Sequence, residues 1–481
     1  MSGKQLPSHN WGHGSCPDSR KCKYIDASPK ANQYNLPSKN HPHHQHEPSY
    51  PWIIGTTLLH AQGAVIEREQ HMTQGRNTPE SLKPESLKPE LPKIAPRHWP
   101  SGLNSTFTGG QSNVADYVAA CREMLRQAHA SRASRDRDKV VAGNVPFELQ
   151  PVGDFPAGKG KPYRRGILLV HGLSDSPYFM RPLAEFFRRR GFRAVAVLLP
   201  GHGTQPGDLL DVRWQEWARA VAWGVNQLDQ EADEVYLAGY SAGATLAIRH
   251  SLHDGRVKGL FLFSPALKVS PRAAWANMHR IYSWLLPSAK WVDIQPDTDN
   301  YKYESFPKNG AFQMHALTAD LHAQLRKRET GIPMFAAASA DDVTVDSSAT
   351  VEFMARARHA CTKLVYYTKN TAQNLCGIPE NRVELVNSVV PEQNIVSFSH
   401  LSILVPPEDA HYGVAGEYSN CLHYYPHDME KYAVCRRNFP AVLQGEITAH
   451  NLQAGVMRRL AYNPHFRALE SSMQKFIENL P

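Results

Sequence analysis

The chain has 481 residues, of which 42% are hydrophobic and 20% charged, with 35 Pro and 31 Gly. That length exceeds one minimal domain and suits a large enzyme domain with appendages, and the composition excludes collagen-like, coiled-coil, disulfide-scaffold and wholly disordered classes. The formal charge is +8, but residues 1–110 hold 12 basic against 8 acidic residues and so account for half of it. Elsewhere bases and acids intermingle, as in Arg132-Ala-Ser-Arg-Asp-Arg-Asp-Lys139, which reads as a solvated helical face and not as a nucleic-acid stripe.

The first hundred residues carry 13 of the 35 Pro and 9 of the 24 His, with no helical or strand period. Residues 1–110 are therefore expected to be a disordered extension. Its run His41-Pro-His-His-Gln-His46 has no structural-zinc spacing, and no metal site is expected there. Its repeat Glu80-Ser-Leu-Lys-Pro-Glu-Ser-Leu-Lys-Pro89 reads as a linker. The oddness of this composition also fits translation from Met72, which the intact mass of the native protein would decide. No stretch approaches the ~18 consecutive apolar residues of a membrane span, and no apolar run follows Met1. Seven dispersed Cys imply no disulfide framework, so a soluble cytoplasmic protein with reduced thiols is expected; whether Cys421 and Cys435 pair is open.

From Asn113 the spacing of Val114, Tyr117, Val118, Cys121, Met124 and Leu125 predicts a helix. Short apolar runs then alternate with amphipathic stretches. Strands are predicted over 166–170, 194–199, 234–238 and 259–263, with helices over 182–190, 214–228 and 242–252 between them. This rhythm implies a parallel sheet with right-handed crossovers. It breaks at Pro265 and resumes with strands over 333–338, 364–367 and 395–398 and a helix over 349–357. The core thus reads as two parts, 111–265 and 332–481. Residues 266–331 between them are an insertion whose aromatic residues, among them Trp275, Tyr282, Trp284, Trp291, Tyr301 and Tyr303, suit a lid over an apolar substrate. The tail from Thr448 to Leu480 reads as an amphipathic helix interrupted at Asn463-Pro464.

The strongest chemical signal is Gly239-Tyr-Ser-Ala-Gly243, placed directly between a predicted strand and a predicted helix. A serine on such a sharp turn needs glycine on both sides, because a Cβ there would meet neighbouring backbone. A serine hydroxyl also needs a base and oxyanion donors to act as a nucleophile. Upstream, the strand over 166–170 runs into His171-Gly172-Leu173. That turn would present the amide of Leu173 beside the amide of Ala242, with His171 as a structural turn residue.

Leu168-Leu-Val-His-Gly-Leu-Ser-Asp-Ser-Pro177, Met180-Arg-Pro-Leu-Ala184, Leu199-Pro-Gly-His-Gly-Thr204 and Gly239-Tyr-Ser-Ala-Gly243 together resemble the α/β-hydrolase superfamily. More narrowly they resemble its bacterial carboxylesterases and monoacylglycerol lipases, the serine aminopeptidase S33-like group, over about residues 164–411. The resemblance implies a mostly parallel sheet flanked by helices, a helical cap after the sixth strand, and a Ser-Asp-His triad in that chain order. It places Ser241 as nucleophile, with Leu173 and Ala242 as oxyanion donors. Asp342 takes the acid position in preference to Asp341 and Asp346, and His400 takes the base position, with His411 as the alternative. His202, in the Pro-Gly-His-Gly-Thr turn, is expected to be structural. The implied activity is cleavage of carboxylic esters (EC 3.1.1.-) of small or lipid-like substrates through an acyl-enzyme. No cofactor, metal, nucleic acid or integral membrane contact is expected. The same residues would also serve an acyltransferase, a thioesterase or a small-amide hydrolase, and a vestigial triad would leave a binding module.

Overall fold

The computed structural model describes residues 94–269, 287–375, 377–437 and 442–481. The His41–His46 run, the 80–89 repeat, Met72, Trp275, Tyr282, Trp284 and Cys376 lie outside them. Within the expected extension, residues 94–110 are packed against the core. The Asn104 amide donates to the carbonyls of Leu199 and His202, and Ser101 donates through its amide and hydroxyl to Asp208.

Helix α1 (Val114–Ala128) starts where Asn113 accepts the Asp116 amide at 2.8 Å, a side-chain N-cap, and α2 (Ser134–Asn144) follows. The main sheet then begins with β1 (Phe147–Leu149) and β2 (Tyr163–Val170), and continues after α3 (Arg181–Arg188) with β3 (Phe192–Val197). Helix α4 (Trp214–Glu231) leads to β4 (Ala232–Tyr240), and α5 (Ala242–Ser251) to β5 (Val257–Phe263). Next come a hairpin of β6 (Trp291–Asp293) and β7 (Phe306–Pro307), and helix α6 (Lys308–Leu325). Strand β8 (Met334–Ser339), α7 (Ser347–Ala355), β9 (Lys363–Thr368) and β10 (Val383–Asn387) complete the sheet. The strand order is β1-β3-β2-β4-β5-β8-β9-β10, with only β1 antiparallel.

A parallel sheet covered on both faces needs apolar residues on both faces, and β2 shows this: Ile167, Leu168, Leu169 and Val170 are all fully buried. Leu168 and Val170 join the core that includes residues of α4, α5 and α6. Ile167 and Leu169 face the core containing Phe186 and Phe187 of α3. That second core is closed by Leu469, Met473 and Phe476 of the last helix. Each such side chain, buried whole, contributes about 1.5–3 kcal/mol.

The layered fold implied by the resemblance is thus present, with local differences. In chain order the insertion follows the fifth strand of this sheet, where the resemblance implied the sixth, because a single strand precedes β2. Its described part, 287–307, is a 3-10 turn (Pro287–Lys290) followed by a hairpin and loop. Helix α6, also read as insertion, buries Leu317 and Leu321 completely in the main core.

The run 395–398, expected to be the last strand, is a buried loop, and β10 forms the sheet edge instead. The loop's backbone is taken by the C-terminal part: Gln444 donates to Asn394 and accepts from Val396. That part comprises α8 (Met429–Arg437), β11 (Leu443–Gly445), α9 (Ala449–Leu452), β12 (Met457–Arg459) and α10 (Phe466–Glu478), with β11 and β12 parallel. The predicted 448–480 helix is therefore real only as α9 and α10. Gly455, at φ +140°, lies between α9 and β12 in a conformation that side chains resist. Cys421 and Cys435 form a disulfide, Cα to Cα 6.1 Å, against the expected reduced thiols. Among the described residues no helix is long and apolar enough to cross a membrane.

Candidate active site

Ser241 sits between β4 and α5 at φ +53°, ψ −114°, a conformation that costs a non-glycine residue about 1–3 kcal/mol and is held by its surroundings. Its amide donates to Phe263 at 2.9 Å, and its carbonyl accepts from Ala266 and Thr245. Both flanking glycines are required sterically. A Cβ on Gly239 would lie 2.4 Å from the Ala244 nitrogen, and one on Gly243 would lie 2.0 Å from the Val170 carbonyl oxygen. The turn thus lifts the hydroxyl above the carboxyl ends of the parallel strands, where a ligand can reach it.

Two loops at that same edge bring the other side chains. His400 Nε2 lies 3.0 Å from Ser241 Oγ, and His400 Nδ1 lies 2.6 Å from Asp342 Oδ2. All three residues are buried. Asp342 follows β8, and its other oxygen accepts the amides of Thr344 at 2.8 Å and Val345 at 3.1 Å, so the carboxylate cannot swing away from the imidazole without losing both. Its neighbours in sequence are used elsewhere. Asp341 accepts from Ser388, while Asp346 caps α7 and pairs with Lys268.

The backbone of His400 is held on both sides. Its amide donates to Glu446 Oε2 at 3.1 Å, and its carbonyl accepts the Tyr240 hydroxyl at 3.1 Å. Neither partner was expected from the sequence. Tyr240 is visible only as the variable position of the elbow. Glu446 is a lone acid in the apolar run Val442-Leu-Gln-Gly-Glu-Ile447, a pattern that hints at a buried, partnered charge without saying whose.

The two proposed oxyanion donors flank the serine. Ala242 opens α5, so its amide lies at the positive end of that helix. Leu173 follows Gly172, where an added Cβ would stand 3.2 Å from Ser241 Cβ and 2.3 Å from the Asp175 carboxylate. Neither amide donates to a backbone carbonyl among the described residues.

The other histidines are placed differently. His171 pairs its Nδ1 with the Gly172 carbonyl at 2.9 Å and accepts the Leu199 amide on Nε2 at 3.0 Å. Complete burial, with His202 beside it, holds its pKa well below the usual value. Burial also pulls His202 down to about 4; its Nδ1 lies 3.0 Å from the Pro200 carbonyl. Both are uncharged turn residues, as expected. His411, the alternative base, is not brought to Ser241. Its Nε2 lies 3.0 Å from Asp299 in the inserted loop, and Asp299 also accepts the Tyr412 hydroxyl at 2.8 Å.

That inserted loop closes over the His-Gly turn. The Lys302 ammonium donates to Ser174 Oγ and to the buried Asp175 carboxylate, and the Tyr303 amide donates to Ser174. Tyr301 stacks on Tyr178 at 3.9 Å, and Tyr418 donates to Glu304 at 2.7 Å. A cavity of about 200 Å³ lies beneath the loop. It is lined by polar groups including His129, Asn144, Asp175 and Lys302, and it reaches the His-Gly turn without including Ser241.

Residues 161–370 match the family described as serine aminopeptidase, S33. The chain is 29% identical over 160 residues to the thermostable monoacylglycerol lipase of Bacillus sp. (strain H-257), covering 33% of this chain and 64% of the relative. It is 28% identical over 86 residues to a carboxylesterase of Bacillus subtilis (strain 168), covering 18% and 35%. The matched part therefore spans less than two thirds of either relative. Among solved structures, a metagenome-derived lipolytic enzyme aligns at 21% identity and TM-score 0.39 over 47% of this chain and 87% of its own. The monoacylglycerol lipase of Paleococcus ferrophilus aligns at 17% and TM-score 0.36 over 46% and 88%.

Proposed function

We propose that this chain is an α/β-hydrolase, a serine hydrolase that cleaves carboxylic esters of small or lipid-like substrates through an acyl-enzyme. The observation that carries the reading is the relay of 3.0 Å from Ser241 Oγ to His400 Nε2 and 2.6 Å from His400 Nδ1 to Asp342 Oδ2, set on a strained elbow. The names of the Bacillus relatives support esters as the substrate class.

In this reading Asp342 fixes the proton of His400 on Nδ1, which leaves Nε2 free to accept the Ser241 proton as Oγ attacks the ester carbonyl. The oxyanion that forms is met by the amides of Leu173 and Ala242, whose dipoles are already oriented, so little reorganisation is needed as charge develops. His400 returns the proton to the leaving alcohol, and the carbonyl reforms as a Ser241 ester. Water, deprotonated by the same nitrogen, then releases the acid and restores the serine.

A fluorophosphonate probe tests the assignment. Labelling is expected at Ser241, lost in Ser241→Ala and in His400→Ala, and retained in His411→Ala. Labelling that survives His400→Ala and disappears in His411→Ala would overturn the choice of base. Turnover of p-nitrophenyl esters and monoacylglycerols of graded chain length would then define the acyl preference, and their complete resistance would refute the ester reading.

A further inference from the structure

The segment that carries the proposed base is tied to the C-terminal part of the chain more than to the main sheet. Asn394 and Val396 exchange backbone hydrogen bonds with Gln444, Ser397 Oγ accepts the Glu446 amide at 2.9 Å, and Ser399 Oγ donates to the Leu460 carbonyl. At the end of this seam stands the Glu446 carboxylate, fully buried and facing the His400 amide. Burying a carboxylate is costly unless it is paired, and Arg459 pairs it through two nitrogens, Nε to Oε1 at 2.8 Å and Nη2 to Oε2 at 3.0 Å. The same Nη2 donates to Thr344 Oγ1 at 2.5 Å, two residues beyond Asp342. Arg459 therefore joins the loop bearing the acid to the partner of the loop bearing the base.

We propose that Glu446 and Arg459 are positioning residues of the hydrolytic site, a partly buried ion pair that sets the His400 loop against the Asp342 loop. The proposal rests on the reading of Ser241, Asp342 and His400 as a triad and adds to it a part of the chain beyond the residues matched to the family.

Loss of the pair should let the imidazole drift from Ser241 Oγ, and a displacement of about 1 Å costs a reaction rate on the order of 100-fold. Because the displaced group acts in the chemical step, the loss should fall on kcat and leave KM little changed.

The experiment uses the full chain and measures kcat and KM on a p-nitrophenyl ester, with melting followed by circular dichroism. Glu446→Gln is expected to lose about 10- to 100-fold in kcat with little change in KM. Arg459→Met should lose a similar factor in kcat, because it leaves the Glu446 carboxylate without its partner. A folded Glu446→Gln or Arg459→Met protein within twofold of the wild-type kcat would overturn the proposal. Should both melt below the assay temperature, Arg459→Lys keeps the charge and loses the two-nitrogen geometry. Its kcat should then fall with KM little changed, and a wild-type kcat would equally overturn the proposal. Fluorophosphonate labelling of the wild type separates the two levels. An unlabelled Ser241 brings down the triad reading and this inference with it, whereas a labelled Ser241 with undiminished kcat in the variants removes only the inference.

Discussion

Replacing Asp342 by Asn isolates the electrostatic part of the proposed mechanism, because the side chain keeps its shape. In the native loop one oxygen accepts the amides of Thr344 and Val345 and the other faces His400 Nδ1 at 2.6 Å. An asparagine carbonyl would take the first place, since its NH2 there would oppose two buried N–H donors at about 1–3 kcal/mol each. The NH2 is then directed at His400 Nδ1, which must become an acceptor, and the ring proton moves to Nε2, 3.0 Å from Ser241 Oγ. A protonated Nε2 cannot take the serine proton. The reversed amide, disfavoured by at least about 2 kcal/mol, would be populated at a few per cent or less. A wrong tautomer of this kind costs a serine protease about 10⁴ in kcat, and a similar loss is expected here, corresponding to about 5.5 kcal/mol of barrier. The assay is kcat on a p-nitrophenyl ester beside the rate of fluorophosphonate labelling, with the melting temperature confirming the fold. A folded D342N protein within tenfold of wild type would refute the reasoning. Asp341→Asn serves as the control. Its native partner is Ser388 at 2.7 Å, so only a few-fold change is expected, and a collapse of activity there would transfer the role of acid to Asp341.

The fold offers further tests. Gly243→Ala puts a methyl group 2.0 Å from the Val170 carbonyl oxygen, which is backbone and cannot step aside, so a loss of about 3 kcal/mol or more is expected in urea unfolding; an unchanged midpoint would contradict the elbow geometry. Burial pushes Glu304 up to about 7, against the hydrogen bonds from Tyr418 and Thr298 that pull it down. A carboxyl raised on folding contributes stability below its unfolded value near 4.5, and that contribution is lost as the pH rises through about 7. The difference between wild type and Glu304→Gln should therefore fall by about 3 kcal/mol between pH 4.5 and 8, and a flat difference would show that the inserted loop does not desolvate the group. Replacing Cys421 and Cys435 by Ser removes a cross-link across 14 residues, expected to cost about 3 kcal/mol in denaturant unfolding under non-reducing conditions. Unchanged stability would mean that the segment does not open on unfolding.

What could be read in advance was what is local. The strand, elbow and helix around Ser241 are contiguous, and the two glycines betray the sharp turn because no other residue fits there. Six of the seven described parallel strands were visible as apolar runs, since a doubly covered strand has no solvent face to spoil the pattern; the half-buried edge strand β10 is absent from that set. Asp342 was singled out from Asp341 and Asp346 by the resemblance, which places an acid in the loop after the strand that follows the insertion. The run 395–398 looked equally strand-like, yet it sits outside the sheet. Hydrophobic content reports burial, while membership in a sheet depends on which backbone lies alongside, and there it is Gln444 and not β9. His400 was preferred to His411 on the resemblance, and its neighbours along the chain could not settle the choice for the same reason. Both follow loops near the end of the core, and only the contact with Asp299, 112 residues away, shows that one is committed to the inserted loop.

The sequence by itself determined the alternation of strands and helices and the sharp turn at Ser241, because periodicity and turn chemistry are properties of neighbours along the chain, while the candidate acids and bases came from the resemblance of its motifs. Only the tertiary structure decided which histidine meets Ser241, that residues 94–110 are packed, and that the C-terminal part reaches back through Glu446 to the His400 amide and through Arg459 to Thr344. Those choices rest on partners separated by tens to hundreds of residues, and on the cost of leaving a buried charge unpaired, which acts only once the chain has closed around it.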